Sequence, residues 1–186
     1  MPVAGVMLGM AALGNLLQSF GEGIRYICGV LSAFFALLLI LKYIINPKDF
    51  KIDMNSSVSA SVSGTFPMGI MLLSTYIKPF IGNAAVYIWA AAVGLHILLI
   101  FYFTYRFFIK QFDLKDVFAS YYIVYVGIVV ASVTAPAYNM QAFGNAAFWF
   151  GFATFILLFI LVRIKYNKFK DIPEPAKPLI CIYTAP

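Results

Sequence analysis

Acidic side chains are scarce in this sequence. Its 186 residues include seven Asp and Glu, and all seven, from Glu22 to Glu174, lie in polar links between apolar runs. Proton-coupled transporters relay protons through carboxylates or histidines at membrane depth. The chain has one histidine, His96, and reads as a packing or interhelical hydrogen-bonding residue, so no proton relay is expected. An enzyme site needs titratable groups gathered in one place, and one histidine with scattered acids gathers nothing; neither a catalytic residue nor a cofactor is expected. Cysteine is as sparse. Cys28 and Cys181 stand far apart inside apolar runs without CxxC spacing, which speaks against a disulfide framework or a zinc site, so no metal is expected. No charge precedes Glu22, so the basic start of a cleavable signal peptide is not expected.

Apolar residues are abundant instead. They make up 63% of the chain against 11% charged, with a mean hydropathy of +0.92. A soluble domain has about 45–50% apolar and about 25% charged residues, so this composition describes an integral membrane protein. The net charge of +6 is spread between apolar runs rather than gathered in one patch. That distribution fits membrane topology and excludes nucleic acid as the expected partner.

A helical span needs about 20 apolar residues. Six runs meet or approach that length, at roughly 2–17, 26–45, 64–81, 84–105, 117–137 and 142–162, and a seventh begins near Pro178. Runs three and four meet at "IKPFIGN", a Pro/Gly turn that reads as a helical hairpin. Eleven of the thirteen Lys and Arg fall in the links after runs two, four and six, leaving Arg25 and Lys78 for the other side. By the positive-inside rule the N-terminus is cytoplasmic and hairpins one-two, three-four and five-six project outward through a plasma or inner membrane. The last run, "EPAKPLICIYTAP", stops at Pro186. Half a span leaves backbone groups bare in lipid, so the expectation is one transmembrane domain over 1–186 that continues beyond it; a segment lying in the interface is the alternative.

The runs are of two kinds. Runs two, four and six are bulky and lack interior proline, whereas run three carries "GTFPMGIMLL" with Pro67 between Gly64 and Gly69. Proline also falls at Pro2, Pro178 and Pro186 in runs one and seven, and run five ends at Pro136. Small or hydroxylated residues recur at helical spacing on the odd runs: Gly5, Gly9 and Ala12; Gly64, Pro67, Met71 and Thr75; Ser120, Val124, Gly127, Ala131 and Thr134. Irregular backbone is tolerated at membrane depth where protein or water covers it. The expected fold is therefore an all-α membrane protein with odd helices inside and even helices outside. The inside is read as a path lined by Gly5, Gly9, Phe66, Pro67, Gly69, Met71, Thr75, Ser120, Val124, Gly127 and Ala131. Close packing of a non-conducting bundle, the usual role of a small-xxx-small pattern, is the alternative.

Four stretches carry a family resemblance. "PVAGVMLGMAALGNL", "SGTFPMGIMLLSTY", "YYIVYVGIVVAS" and "KPLICIYTAP" resemble, in order, the first, third, fifth and seventh helices of the tellurite-resistance/C4-dicarboxylate transporter family. That family includes bacterial TehA-like proteins and plant slow-type anion channels. The resemblance implies ten helices as five hairpins around a central pore, of which this chain holds about six spans and the start of a seventh. It also implies a homotrimer, and a pore-blocking phenylalanine on a ninth helix that nothing here matches. Run five departs from the pattern, having Tyr125-Val126-Gly127 where a mid-helix proline is usual.

Together these readings give transport of small anions, inorganic or C4-dicarboxylate, through a proline-kinked path. A membrane scaffold is the alternative. Backbone amides bared near a kink suit an anion, and the lack of Arg or Lys deep in the odd runs argues against a high-affinity binding site. Phe66 is a candidate constriction, its alternative being a side chain packed between helices. "SVSASVS", Ser57 to Ser63, reads as an interfacial lead-in to helix three. Arg163, Lys165, Lys168 and Lys170 are candidates for gathering anions at the cytoplasmic mouth, besides fixing topology against anionic lipid.

Overall fold

The computed structural model describes residues 2–169. Within them the chain is helical nearly throughout and has no strand. Helix α1 (Pro2–Leu16) runs into a 3-10 turn and is answered by α2 (Glu22–Ile45). Helix α3 (Pro47–Asn55) opens on proline, where the missing N–H has no helical partner to lose. Then come α4 (Ser57–Val62), α5 (Thr65–Ile81) and α6 (Ala85–Phe103), the last prolonged by a π-helical stretch to Lys110. Short helices α7 (Tyr121–Tyr125) and α8 (Val129–Thr134) precede the long α9 (Gln141–Lys168).

Among the described residues, five stretches are long and apolar enough to cross a membrane, and one of them, Ser57–Lys110, contains both α5 and α6. The described part of the all-α membrane fold is thus as expected, while the run from Pro178 lies outside the described residues. Some boundaries differ. The link after run two is helical through α3 and α4, because Ser56 caps α4 by accepting from the Ser59 N–H and the serines that follow bond back to carbonyls. The turn between runs three and four falls on Gly82, at φ 60°, a backbone state that glycine adopts without strain. Pro79 therefore belongs to the last turn of α5 rather than to the turn itself.

Without water to drive apolar association, spans are joined by close backbone approach and by hydrogen bonds averaging about 0.6 kcal/mol each. Ser32 Oγ donates to the Met7 carbonyl at 2.7 Å, joining α2 to α1, and Tyr76 Oη donates to the Ala11 carbonyl at 2.6 Å, joining α5 to α1. Gly29 makes room for the Tyr76 ring: a Cβ there would lie 2.6 Å from Cδ1. On α9 the buried residues Gly144, Gly151, Leu158 and Lys165 recur every seventh position, a spacing that keeps one helical face.

Burial separates run five from the even helices. Its stretch Tyr121–Tyr138 is 56% buried, against 28% for α2 and 22% for α9. Helix α1 leaves Val3, Val6, Leu13 and Leu16 exposed.

Candidate functional site

The third and fifth runs lie side by side and parallel, in a constant register. Ser61 is hydrogen-bonded to Ser120 at 2.6 Å, and a Cβ on Gly64 would meet Ile123 Cγ2 at 3.2 Å. A Cβ on Gly127 would meet Met68 Sδ at 2.7 Å, and Lys78 Nζ donates to the Ala137 carbonyl. Each of these pairs is 59 residues apart in sequence. Both runs are also interrupted, at Ser63–Gly64 and at Val126–Ile128. The constant register places the two interruptions near one another.

Each interruption has a local cause. Pro67 has no N–H to offer the carbonyl four residues back, so the Ser63 carbonyl accepts instead from the Phe66 N–H at 3.0 Å. The helix breaks there, one turn before the proline, and Pro67 itself sits in the first turn of α5. A mid-helix kink at Pro67 is thus corrected to a break at Ser63–Gly64. Hydroxyls cover nearby carbonyls: Ser63 Oγ donates to Ala60 at 2.6 Å, and Thr65 Oγ1 to Val62 at 2.7 Å. The fifth run breaks without proline. The Tyr122 carbonyl accepts from both Val126 N–H, at 2.8 Å, and Gly127 N–H, at 3.1 Å, and a Cβ on Gly127 would run into the Ile123 carbonyl oxygen. Glycine permits the tight approach that ends α7.

His96, on α6, closes this joint. Its side chain is fully buried and its Nε2 donates to the Val124 carbonyl at 2.9 Å. That carbonyl belongs to the last turn of α7, where helical acceptors have lost their donors.

The candidate path residues are distributed unevenly. Gly5 and Gly9 border open space, with nothing within 4 Å of a Cβ on either. Gly69 abuts Met7, whose Cε would lie 2.7 Å from its Cβ. Pro67, Met71, Ser120, Val124, Gly127 and Ala131 are buried among neighbouring helices, and Thr75 is half-buried, bonding back to the Leu72 carbonyl. Phe66 joins Leu39, Tyr43, Leu98 and Tyr102 in the wall of an apolar cavity of about 490 Å³ between α2, α3, α5 and α6. Residues that sequence reasoning missed come together elsewhere: Leu8 of α1, Leu72 of α5 and Val130 of α8 pack around Ala11 and Tyr76, drawing on all three odd runs.

The basic cluster is split as well. Arg163 and Lys168 are exposed on α9, while Lys165 is 1% exposed, its Nζ 4.5 Å from the centre of the Phe118 ring and 4.4 Å from that of Tyr166. Its inward position follows from the seven-residue stripe it shares with Leu158, which removes it from any outward-facing set. Lys170 lies outside the described residues.

Comparison with known families decides what this arrangement belongs to. The profile describing voltage-dependent anion channels matches residues 2–186. The chain belongs to the voltage-dependent anion channel family. A comparison with curated proteins finds no match. Membership gives anion transport in general and bears out the resemblance carried by the four odd-run stretches. The described acids agree with that cargo: Glu22, Asp49, Asp53, Asp113 and Asp116 stand at helix starts or in links, outside the interrupted runs. For a channel family, interrupted helices have a physical rationale, since irregular backbone at membrane depth persists only against protein or along a watery cavity.

Proposed function

We propose that this protein passes small anions, inorganic or C4-dicarboxylate, along a path bounded by its interrupted odd helices. The observation that carries the reading is the pair of breaks, at Ser63–Gly64 and Val126–Ile128, which the constant register sets about one helical turn apart on parallel helices. Two breaks within about a turn of each other put polar backbone at neighbouring depths, where an anion meets peptide dipoles instead of fixed charge. Sites of that kind bind weakly and release readily, as conduction requires. The open faces at Gly5 and Gly9 and the Leu8, Leu72 and Val130 cluster support an apolar lumen that selects by size. Pro67 acts on the path through the break before it. The native protein works as a homotrimer in the plasma or inner membrane with its N-terminus cytoplasmic, and Arg163, Lys168 and Lys170 gather anions at that side.

Reconstitution of the full native protein in liposomes tests this reading. Chloride, nitrate and malate gradients should each drive electrogenic anion flux that varies little with pH. Absence of flux with all three anions would sink the path and favour a scaffold.

A further inference from the structure

We infer that His96 is a positioning residue for this path: its imidazole holds the interruption in the fifth run by donating to the carbonyl that the interruption strips. The inference rests on the reading of the path given above. A carbonyl oxygen only accepts, so the 2.9 Å contact with Val124 puts the imidazole proton on Nε2. The other nitrogen, Nδ1, is buried and makes no hydrogen bond of good geometry among the described residues, although the ring also lies by the Gly64 backbone. A histidine kept merely for bulk would bury both nitrogens at a cost that leucine or methionine avoids. Here the Nε2 bond has a purpose that bulk does not serve, since an unmet carbonyl at membrane depth is costly.

Position strengthens the argument. His96 lies on the buried face of α6 with Trp89, Ala92, Val93, Leu99 and Phe103. It reaches both sides of the break: Nε2 bonds Val124 before it, and Cε1 would lie 3.2 Å from a Cβ on Gly127 within it. Met68 of α5 presses on the same glycine, 2.7 Å from that Cβ position. Thus helices α6 and α5 meet at Gly127, and the donor that stabilises the broken conformation comes from α6. Nothing has to enter the lumen to keep the break in place.

The test uses the native full-length trimer with His96→Leu and His96→Gln, glutamine keeping an N–H near the Nε2 position. Three readouts apply: imidazole 15N spectra of histidine-labelled protein, amide hydrogen exchange over residues 121–134, and the chloride-to-malate permeability ratio. The resonance lost in His96→Gln should report a neutral ring protonated on Nε2. His96→Leu should speed exchange around Val126–Ile128 by about threefold to tenfold, the factor one lost hydrogen bond supplies, and shift the permeability ratio by a similar factor. His96→Gln should restore both to near wild type. A ring protonated on Nδ1, or leucine and glutamine variants that behave alike, would overturn the inference. Wild-type protein with the expected spectra and exchange but no flux would remove the path while leaving His96 as the residue that holds the break.

Discussion

Met68 and Gly127 meet where two interrupted helices touch: the Met68 Sδ lies 2.7 Å from where a Cβ on Gly127 would fall, and the Ile123 carbonyl oxygen is nearer still. One obstacle is the flexible end of a side chain, the other is backbone. Gly127→Ala should therefore destabilise the protein by about 1–3 kcal/mol, the range for overpacking a tight site. Met68→Ala in the same chain should recover only part of that loss, because the clash with Ile123 remains. Thermal unfolding of both variants in one detergent decides it. Full recovery would mean that the backbone at the break is free to move.

The Ser61–Ser120 hydrogen bond anchors the other end of the same register, at 2.6 Å between two fully buried hydroxyls. Coupling across membrane helices averages about 0.6 kcal/mol and reaches about 1.7. A double-mutant cycle with Ser61→Ala and Ser120→Ala should give a coupling in that range. Zero coupling would mean that the register is set by Gly64 and Gly127 alone.

Much of this architecture was legible in the residues, and what was not has identifiable causes. Six runs and their helical state follow from length and hydropathy, and the resemblance of four odd-run stretches agrees with the family that the whole chain matches. The position of the third-run break did not follow from proline alone. Pro67 deprives the Ser63 carbonyl four residues earlier, so the helix parts upstream of the residue that causes it. The fifth-run break has no proline to announce it, and depends on a close approach at Gly127 that only the fold supplies. Helix α3 was hidden in a polar link, although its opening Pro47 and the apolar Phe50 and Met54, four residues apart, are a readable signal. The inward turn of Lys165 was also available, from the repeat Gly144, Gly151, Leu158.

Lys165 gives a prediction that separates it from its exposed neighbours. Its ammonium group lies against two aromatic rings, an arrangement worth about 2 kcal/mol when desolvated. Lys165→Met should lower stability by roughly 1–2 kcal/mol and leave the salt dependence of anion flux unchanged. Arg163→Gln with Lys168→Gln should do the reverse, reducing flux at low ionic strength, where surface charge is least screened. If Lys165→Met alone alters the salt dependence, the inward position does not govern its role.

Phe66 and Leu72 offer the sharpest contrast for locating the lumen. Phe66 lines a cavity shared with α2, α3 and α6, whereas Leu72 lies in the cluster that draws on α1, α5 and α8. An aromatic ring that occluded the path would, on removal, open it. Phe66→Ala should instead leave chloride flux within about twofold of wild type while costing less stability than the roughly 3 kcal/mol lost on truncating a fully buried aromatic side chain, because Phe66 is half-buried. Leu72→Ala should raise flux and Leu72→Phe should depress it, since side-chain bulk in an apolar constriction sets both its bore and its wetting. Single-channel or liposome flux from the four proteins, wild type included, ranks them. A large gain in Phe66→Ala with no change in either Leu72 variant would move the lumen from the α1, α5 and α8 cluster to the cavity beneath α3.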